Sequence, residues 1–120
     1  FTPNRPVLAA AEEIMRRIYA DFTYDPSATS IATPIWETLK MKRGVCQDFA
    51  HVAIACLRSF GVAARYVSGY IRTRRSAQAE RTGEIEMIGG DASHAWFSVF
   101  VPSFGWVDLD PTNNIYLHSI

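Results

Sequence analysis

The sequence predicts an α+β domain in which a buried helix that carries a cysteine packs against an antiparallel β-sheet. Two observations predict this class. Residues 45–60 are mostly apolar or small, contain no proline and precede Gly61, which is typical of a helix and its end. Residues 62–110 instead hold segments rich in β-branched and aromatic residues, which are typical of strands.

Composition indicates one globular domain over residues 1–120, with 48% hydrophobic and 20% charged residues. Twelve basic and twelve acidic side chains cancel, so no overall charge attracts nucleic acid or an anionic membrane. No apolar run approaches the roughly 18 residues of a membrane span, and no signal peptide is visible. A missing signal says little about the compartment of an excised chain, and our expectation is a cytoplasmic location. The chain opens on Phe1, and we therefore expect it to be excised from a longer protein that carries a flanking domain.

Helical segments precede the cysteine helix. The first is predicted over residues 6–20, because Pro6 suits the first turn and the apolar residues after it recur at three-to-four spacing. Residues 22–35 contain two prolines and several Ser and Thr residues, which indicates a loop. The apolar side chains of residues 36–41 predict one short helical turn that leads to Cys46.

Strands follow the cysteine helix. Residues 62–72 predict a strand, and the polar, arginine-containing residues 72–92 predict a long solvated loop, with an anion-binding role as an alternative. A hairpin is predicted from residues 94–101 and 106–110, joined by a turn at 102–105. Beyond a proline, the end of the chain is expected to be irregular or edge-like.

Cys46 is a candidate nucleophile because it falls in the first turn of the predicted helix. Unpaired backbone N–H groups and the positive end of the helix dipole favour a thiolate there. Cys56 lies ten positions further along the helix, about 15 Å away, which excludes a disulfide between the two cysteines. Cys56 is therefore expected to be a small buried hydrophobe.

His94 opens one strand of the predicted hairpin and Asp110 closes the next, so the imidazole and the carboxylate lie near one end. A thiolate, a histidine and a carboxylate form the set that thiol acyl transfer requires. The histidine moves the proton, the carboxylate fixes its tautomer, and the thiolate attacks a carbonyl. The backbone N–H of Cys46 is a natural oxyanion donor.

Four segments resemble the core of the bacterial transglutaminase-like family. They are Gly-Val-Cys-Gln-Asp-Phe-Ala-His (44–51), Leu-Arg-Ser-Phe-Gly-Val-Ala-Ala-Arg-Tyr-Val-Ser-Gly-Tyr (57–70), Ser-His-Ala-Trp (93–96) and Gly-Trp-Val-Asp-Leu-Asp-Pro-Thr-Asn (105–113). The resemblance implies a papain-like fold, the transglutaminase core, with a catalytic triad of Cys46, His94 and Asp110. It also implies that neither a cofactor nor a metal is needed.

The identity of the carboxylate is open from spacing alone. A symmetric turn that pairs Val101 with Trp106 places Asn113 opposite His94, and leaves Asp110 about 10 Å of strand away. A bulge or a wider loop would then be required, or Asn113 takes part. Asp108 shares a face with Asp110 in a regular strand, so only the resemblance favours Asp110.

Several other polar side chains are candidates for a metal site, a helix cap or an oxyanion donor. A metal site of Cys46, His51 and His94 is disfavoured, because ligands five apart on a helix do not share a face and no second thiolate is near. Asp48 and His51 are expected to cap or brace the helix. Tyr24 and Tyr70 are alternative candidates for a second oxyanion donor.

The sequence therefore predicts a thiol acyl-transfer enzyme that acts on amide or peptide bonds of a protein or peptide, as a protease, an amidase or a transglutaminase. The alternative is a catalytically inactive module that binds a peptide or a domain on the same fold. Abnormal reactivity of Cys46 near neutral pH distinguishes the two hypotheses.

Overall fold

The computed structural model describes residues 6–30, 32–70, 93–102 and 104–117. Its helices are α1 (Val7–Asp21), α2 (Ile35–Met41) and α3 (Cys46–Ser59). Its strands are β1 (Thr23–Tyr24), β2 (Arg43–Gly44), β3 (Ala64–Tyr70), β4 (Ser93–Val101), β5 (Gly105–Asp110) and β6 (Ile115–Leu117). The loop predicted over residues 72–92, with its arginines, lies outside the described residues.

The larger sheet has the strand order β3-β4-β5-β6, and every neighbouring pair in it is antiparallel. The predicted α+β class, with an antiparallel sheet beside the cysteine helix, is confirmed. β1 and β2 form a separate parallel pair, where the sequence predicted a loop and a helix-to-helix connection. Two-residue strands leave no periodicity in a sequence, which explains the difference.

Helices α1 and α3 pack with the larger sheet around one core. Three side chains of the sheet that belong to this core, those of Phe97, Val99 and Leu109, are fully buried. The core residues of α3 are Phe49, Val52, Ala53, Ile54 and Leu57. Complete burial of one large aliphatic or aromatic side chain contributes about 1.5–3 kcal/mol, so α3 is held firmly against the sheet. This packing fixes the start of α3, and with it Cys46, relative to β4 and β5.

The hairpin of β4 and β5 has a shorter turn than the sequence predicted. Val101 pairs with Gly105, not with Trp106, so three residues, 102–104, connect the strands. Gly105 has a φ of 112°, a conformation that glycine adopts without strain. Removing one residue from the expected turn shifts the register of the whole hairpin.

The register decides which face of the sheet Asp110 occupies. Phe97 pairs with Leu109, and the next pair in this register sets Asp110 opposite Trp96. Residues that pair across strands share a face, and so do residues two apart on one strand. Asp110 therefore lies on the same face as His94 and diagonally across from it, at a spacing of about 7–8 Å, which side chains can bridge.

α1, with 15 residues, is the longest helix in the described part of the chain. It falls short of the roughly 20 apolar residues that a membrane-spanning helix needs.

Candidate active site

The start of α3 is built around the Asp48 side chain. Its Oδ2 accepts a hydrogen bond from the backbone N–H of Val45 at 2.9 Å and one from the Thr29 hydroxyl at 2.6 Å. The first contact is half of a capping box, and it satisfies the N–H group of the residue that precedes Cys46. A Cβ atom on Gly44 would lie 2.6 Å from the same carboxylate oxygen. Only glycine therefore fits at this position without moving the cap.

The β1–β2 pair brings Tyr24 to the same helix end. The N–H of Thr23 donates to the carbonyl of Lys42, and the N–H of Asp25 donates to the carbonyl of Gly44, each at 2.8 Å. Tyr24 lies directly beside Gly44 in this pair, two residues before Cys46. Its ring makes an edge contact with Phe49, at 6.4 Å between centroids. Tyr24 thus packs against the first turn of α3.

Cys46 is the first residue of α3 and is 6% exposed. Its thiol donates a hydrogen bond to Gln47 Oε1 at 3.4 Å. The backbone N–H of a residue in the first turn of a helix has no acceptor within the helix. The thiol and a donor N–H therefore come from one residue at the positive end of the helix dipole.

His94 and Asp110 form a buried pair, with 2% and 0% exposure. His94 Nε2 lies 3.0 Å from Asp110 Oδ2. The same carboxylate accepts hydrogen bonds from the backbone N–H of Thr112 at 3.0 Å and from Asn113 Nδ2 at 2.7 Å. These contacts compensate the burial of a charge that would otherwise be costly.

Both Asp110 and Cys46 act on the imidazole of His94. Burial lowers its pKa, but hydrogen bonds and charge attraction from Asp110 and Cys46 outweigh this effect and raise the pKa from 6.5 to about 9. Because Asp110 engages Nε2, Nδ1 is the nitrogen available for proton exchange. The three residues singled out from the sequence thus lie together, with His94 between the other two.

A model of the transglutaminase-like superfamily matches residues 2–111. The chain belongs to this superfamily. It is 48% identical over 118 residues to an uncharacterized protein of Mycobacterium tuberculosis, a match that covers 95% of this chain and 36% of that protein. The chain thus spans about a third of the length of this mycobacterial relative. It is also 23% identical over 121 residues to a protein-glutamine gamma-glutamyltransferase of Pseudomonas aeruginosa, covering 92% of this chain and 17% of that enzyme.

Two solved structures have a similar fold. A candidate cysteine protease from Cytophaga hutchinsonii has a TM-score of 0.68 and 27% identity, with 92% of this chain and 33% of that one covered. The periplasmic domain of TgpA from Pseudomonas aeruginosa has a TM-score of 0.60 and 24% identity, with 96% and 47% covered. These similarities support the transglutaminase-like, papain-like fold predicted from the sequence.

The other candidate residues of this transglutaminase-like chain take distinct positions. Asp108 pairs with Ser98 and Leu117 within the sheet. Asn113 does take part in the site, but it donates to Asp110 rather than replacing it beside His94. Asp48 caps the helix, one of the roles expected for it. Where the structure describes the chain, no three His, Cys, Asp or Glu side chains could hold a metal ion together.

The sequence offered Tyr24 and Tyr70 as candidates for a second oxyanion donor, whereas the tyrosines that respond to Cys46 in the structure are Tyr24 and Tyr66. Burial, and to a lesser extent the charge of Cys46, raises the pKa values of Tyr24 and Tyr66. The Tyr66 ring also stacks on His51, at 4.7 Å between centroids. Tyr70 is 81% exposed. Tyr66 was missed because only the pairing of β3 with β4 brings it near the transglutaminase-like site, and no local motif signals that pairing.

Proposed function

We propose that the chain is a thiol acyl-transfer enzyme that cleaves amide or peptide bonds of a protein or peptide through a thioester on Cys46. The observation that carries the proposal is the buried His94, whose Nε2 lies 3.0 Å from Asp110 Oδ2 and whose pKa is raised by Asp110 and Cys46 together. The similarity to a candidate cysteine protease and to a protein-glutamine gamma-glutamyltransferase supports the same chemistry. The roles of the three residues follow from this geometry.

In the first half-reaction, His94 holds the proton of the Cys46 thiol as an imidazolium, and the Cys46 sulfur attacks the carbonyl carbon of the substrate. The C=O electron pair moves onto the oxygen, where the backbone N–H of Cys46 can donate a hydrogen bond. When the carbonyl re-forms, the C–N bond breaks and the imidazolium gives its proton to the departing amine. An acyl thioester remains on the enzyme.

In the second half-reaction, water or a primary amine attacks the thioester carbon and gives a proton to His94. The C–S bond then breaks, and the sulfur leaves as a thiolate beside the imidazolium of His94. Water yields a carboxylic acid, as in a protease or amidase, and an amine yields a new amide, as in a transglutaminase. Asp110 keeps Nε2 protonated, so that Nδ1 exchanges the proton in both halves.

Three assays on the purified chain test the proposal. Incorporation of monodansylcadaverine into dimethylcasein reports amine transfer, ammonia release from a glutamine peptide reports amide hydrolysis, and dye-quenched casein reports peptide-bond cleavage. We expect turnover in at least one assay. We also expect an acid-stable acyl adduct on Cys46 by mass spectrometry.

Two cysteine variants serve as a matched pair in these assays. Cys46→Ala should abolish the signal, whereas Cys56→Ala should retain it, because Cys56 lies further along α3 and away from His94. If wild type and Cys46→Ala are indistinguishable in all three assays, the proposal is wrong. A catalytically inactive binding module would then be the better description.

A further inference from the structure

Thiol acyl transfer places a negative charge on the substrate oxygen, and one backbone donor stabilises it only in part. Oxyanion sites combine donors that are fixed before the reaction begins. The first donor is the N–H of Cys46, at the start of α3. His94 approaches the thiol from β4, on the sheet side, because it must reach the leaving group. We look for a second donor on the β1–β2 side of the helix start, because β2 ends two residues before Cys46.

Tyr24 is on that side. It is paired with Gly44, and its ring rests on Phe49, one turn after Cys46 on α3. It is 39% exposed, so its hydroxyl can face a bound substrate. The Tyr66 ring instead stacks on His51, more than one turn further along α3 than Cys46.

We propose that the Tyr24 hydroxyl donates the second hydrogen bond to the oxyanion that forms when Cys46 attacks. This inference rests on the proposed function. Burial and the charge of Cys46 raise the pKa of Tyr24, so the phenol keeps its proton at neutral pH and remains a donor. The backbone pairing of β1 with β2 fixes the position of the donor relative to Cys46 before substrate binds.

The test compares Tyr24→Phe with Tyr66→Phe in whichever acyl-transfer assay the wild type supports. Loss of one oxyanion donor lowers kcat by about 100-fold or more, so Tyr24→Phe should show a loss of about this size with little change in KM. Tyr66→Phe should stay within a few-fold of wild type. Each variant is first checked for a native near-ultraviolet circular dichroism spectrum.

Alkylation of Cys46 by iodoacetamide separates an oxyanion role from a structural one. The sulfur displaces iodide in that reaction and no oxyanion forms. Tyr24→Phe should therefore be alkylated at the wild-type rate while its turnover falls. A parallel loss of alkylation would overturn the inference, because Tyr24 would then act on the thiol itself.

Two further outcomes separate this inference from the proposed function. If the wild type turns over and Tyr24→Phe matches it, the inference is wrong and the proposed function stands. If the wild type shows no Cys46-dependent turnover, the proposed function is wrong and the inference falls with it. An equal loss in Tyr66→Phe would also contradict the assignment of Tyr24.

Discussion

The buried Asp110 carboxylate sets the orientation of His94. One of its oxygens contacts His94 Nε2 and accepts a bond from Asn113, and the other accepts a bond from the backbone of Thr112. A rotation of the carboxylate would leave at least one buried donor unpaired, which costs about 1–3 kcal/mol. The imidazole is therefore held with Nε2 toward Asp110.

Asp110→Asn should greatly reduce turnover. The amide cannot hold the His94 tautomer that the reaction needs, and the equivalent change in a Ser-His-Asp triad lowers kcat by about 10⁴-fold. We expect a loss of several orders of magnitude in the acyl-transfer assay, with a folded protein by circular dichroism.

Asp108→Asn is the matched control for Asp110→Asn, because Asp108 lies on the same strand but beside Ser98 and Leu117. It should change turnover by only a few-fold. Equal losses in the two variants would mean that the orienting carboxylate has been assigned incorrectly.

The two cysteines should differ in reactivity toward iodoacetamide at about pH 6.5. With a pKa of about 9, His94 is protonated at that pH and places a positive charge beside Cys46, a setting typical of reactive cysteines. Burial raises the pKa of the Cys56 thiol, which disfavours its reactive form. Peptide mapping by mass spectrometry should show label on Cys46 first and on Cys56 only after unfolding.

His94→Ala should slow the labelling of Cys46 at the same pH, because it removes the imidazolium that stabilises the thiolate. Similar slow labelling of both cysteines in the intact protein would contradict the ion pair. So would an unchanged rate in the His94 variant.

At the scale of elements, the start of α3 depends on the fit between Gly44 and Asp48. The carboxylate occupies the space that a side chain at position 44 would need, and it caps Val45 and bonds Thr29 at once. The element that presents the nucleophile is thus tied to the loop between β1 and α2.

Gly44→Ala should destabilise the protein by about 1–3 kcal/mol, since loss of a helix cap alone costs about 0.5–2 kcal/mol and a steric clash adds to it. The free energy of unfolding in urea measures this change. In combination with Asp48→Ala the effects should be less than additive, because both variants remove the same cap. Full additivity would show that the two residues act independently.

The elements differ in how well the sequence predicts them. α1 and α3 end within about two residues of their predicted limits, because apolar periodicity and Gly61 mark them. The hairpin strands were found, but their register was wrong by one residue. Turn length depends on the positive φ of Gly105, and no residue pattern distinguishes this turn from a longer one.

At the scale of the whole molecule, the stability should depend on pH through His94. Its pKa is 6.5 when unfolded and about 9 when folded, so the folded state binds the proton more tightly. This contribution is fully present below pH 6.5 and is lost as the pH rises through about 9. The gap corresponds to about 3 kcal/mol in the free energy of unfolding.

Urea unfolding between pH 6 and pH 9.5 measures this dependence. Wild type should lose stability steadily over that range, and His94→Gln should have a flatter profile. The same slope in both proteins would show that groups other than His94 cause the dependence.

The sequence placed Cys46, His94 and Asp110 in one site, but not the residues that support them. The resemblance to a family identified the three, whereas spacing alone left Asp108 and Asn113 open. The positions of Tyr24 and Tyr66 beside the thiol depend on the pairings β1–β2 and β3–β4. Such pairings join residues that are distant in the chain, and a single sequence does not reveal them.

The turn at residues 102–104 makes the site sensitive to small insertions and deletions in the gene. A one-residue insertion or deletion there that shifts the strand pairing would turn Asp110 to the opposite face of the sheet from His94. The codons for Cys46, His94 and Asp110 would all be intact, yet His94 would have lost its carboxylate partner. If the proposed function is correct, in-frame length changes in this turn should therefore reduce turnover as much as missense mutations of these three residues, whereas substitutions at the same positions should be tolerated.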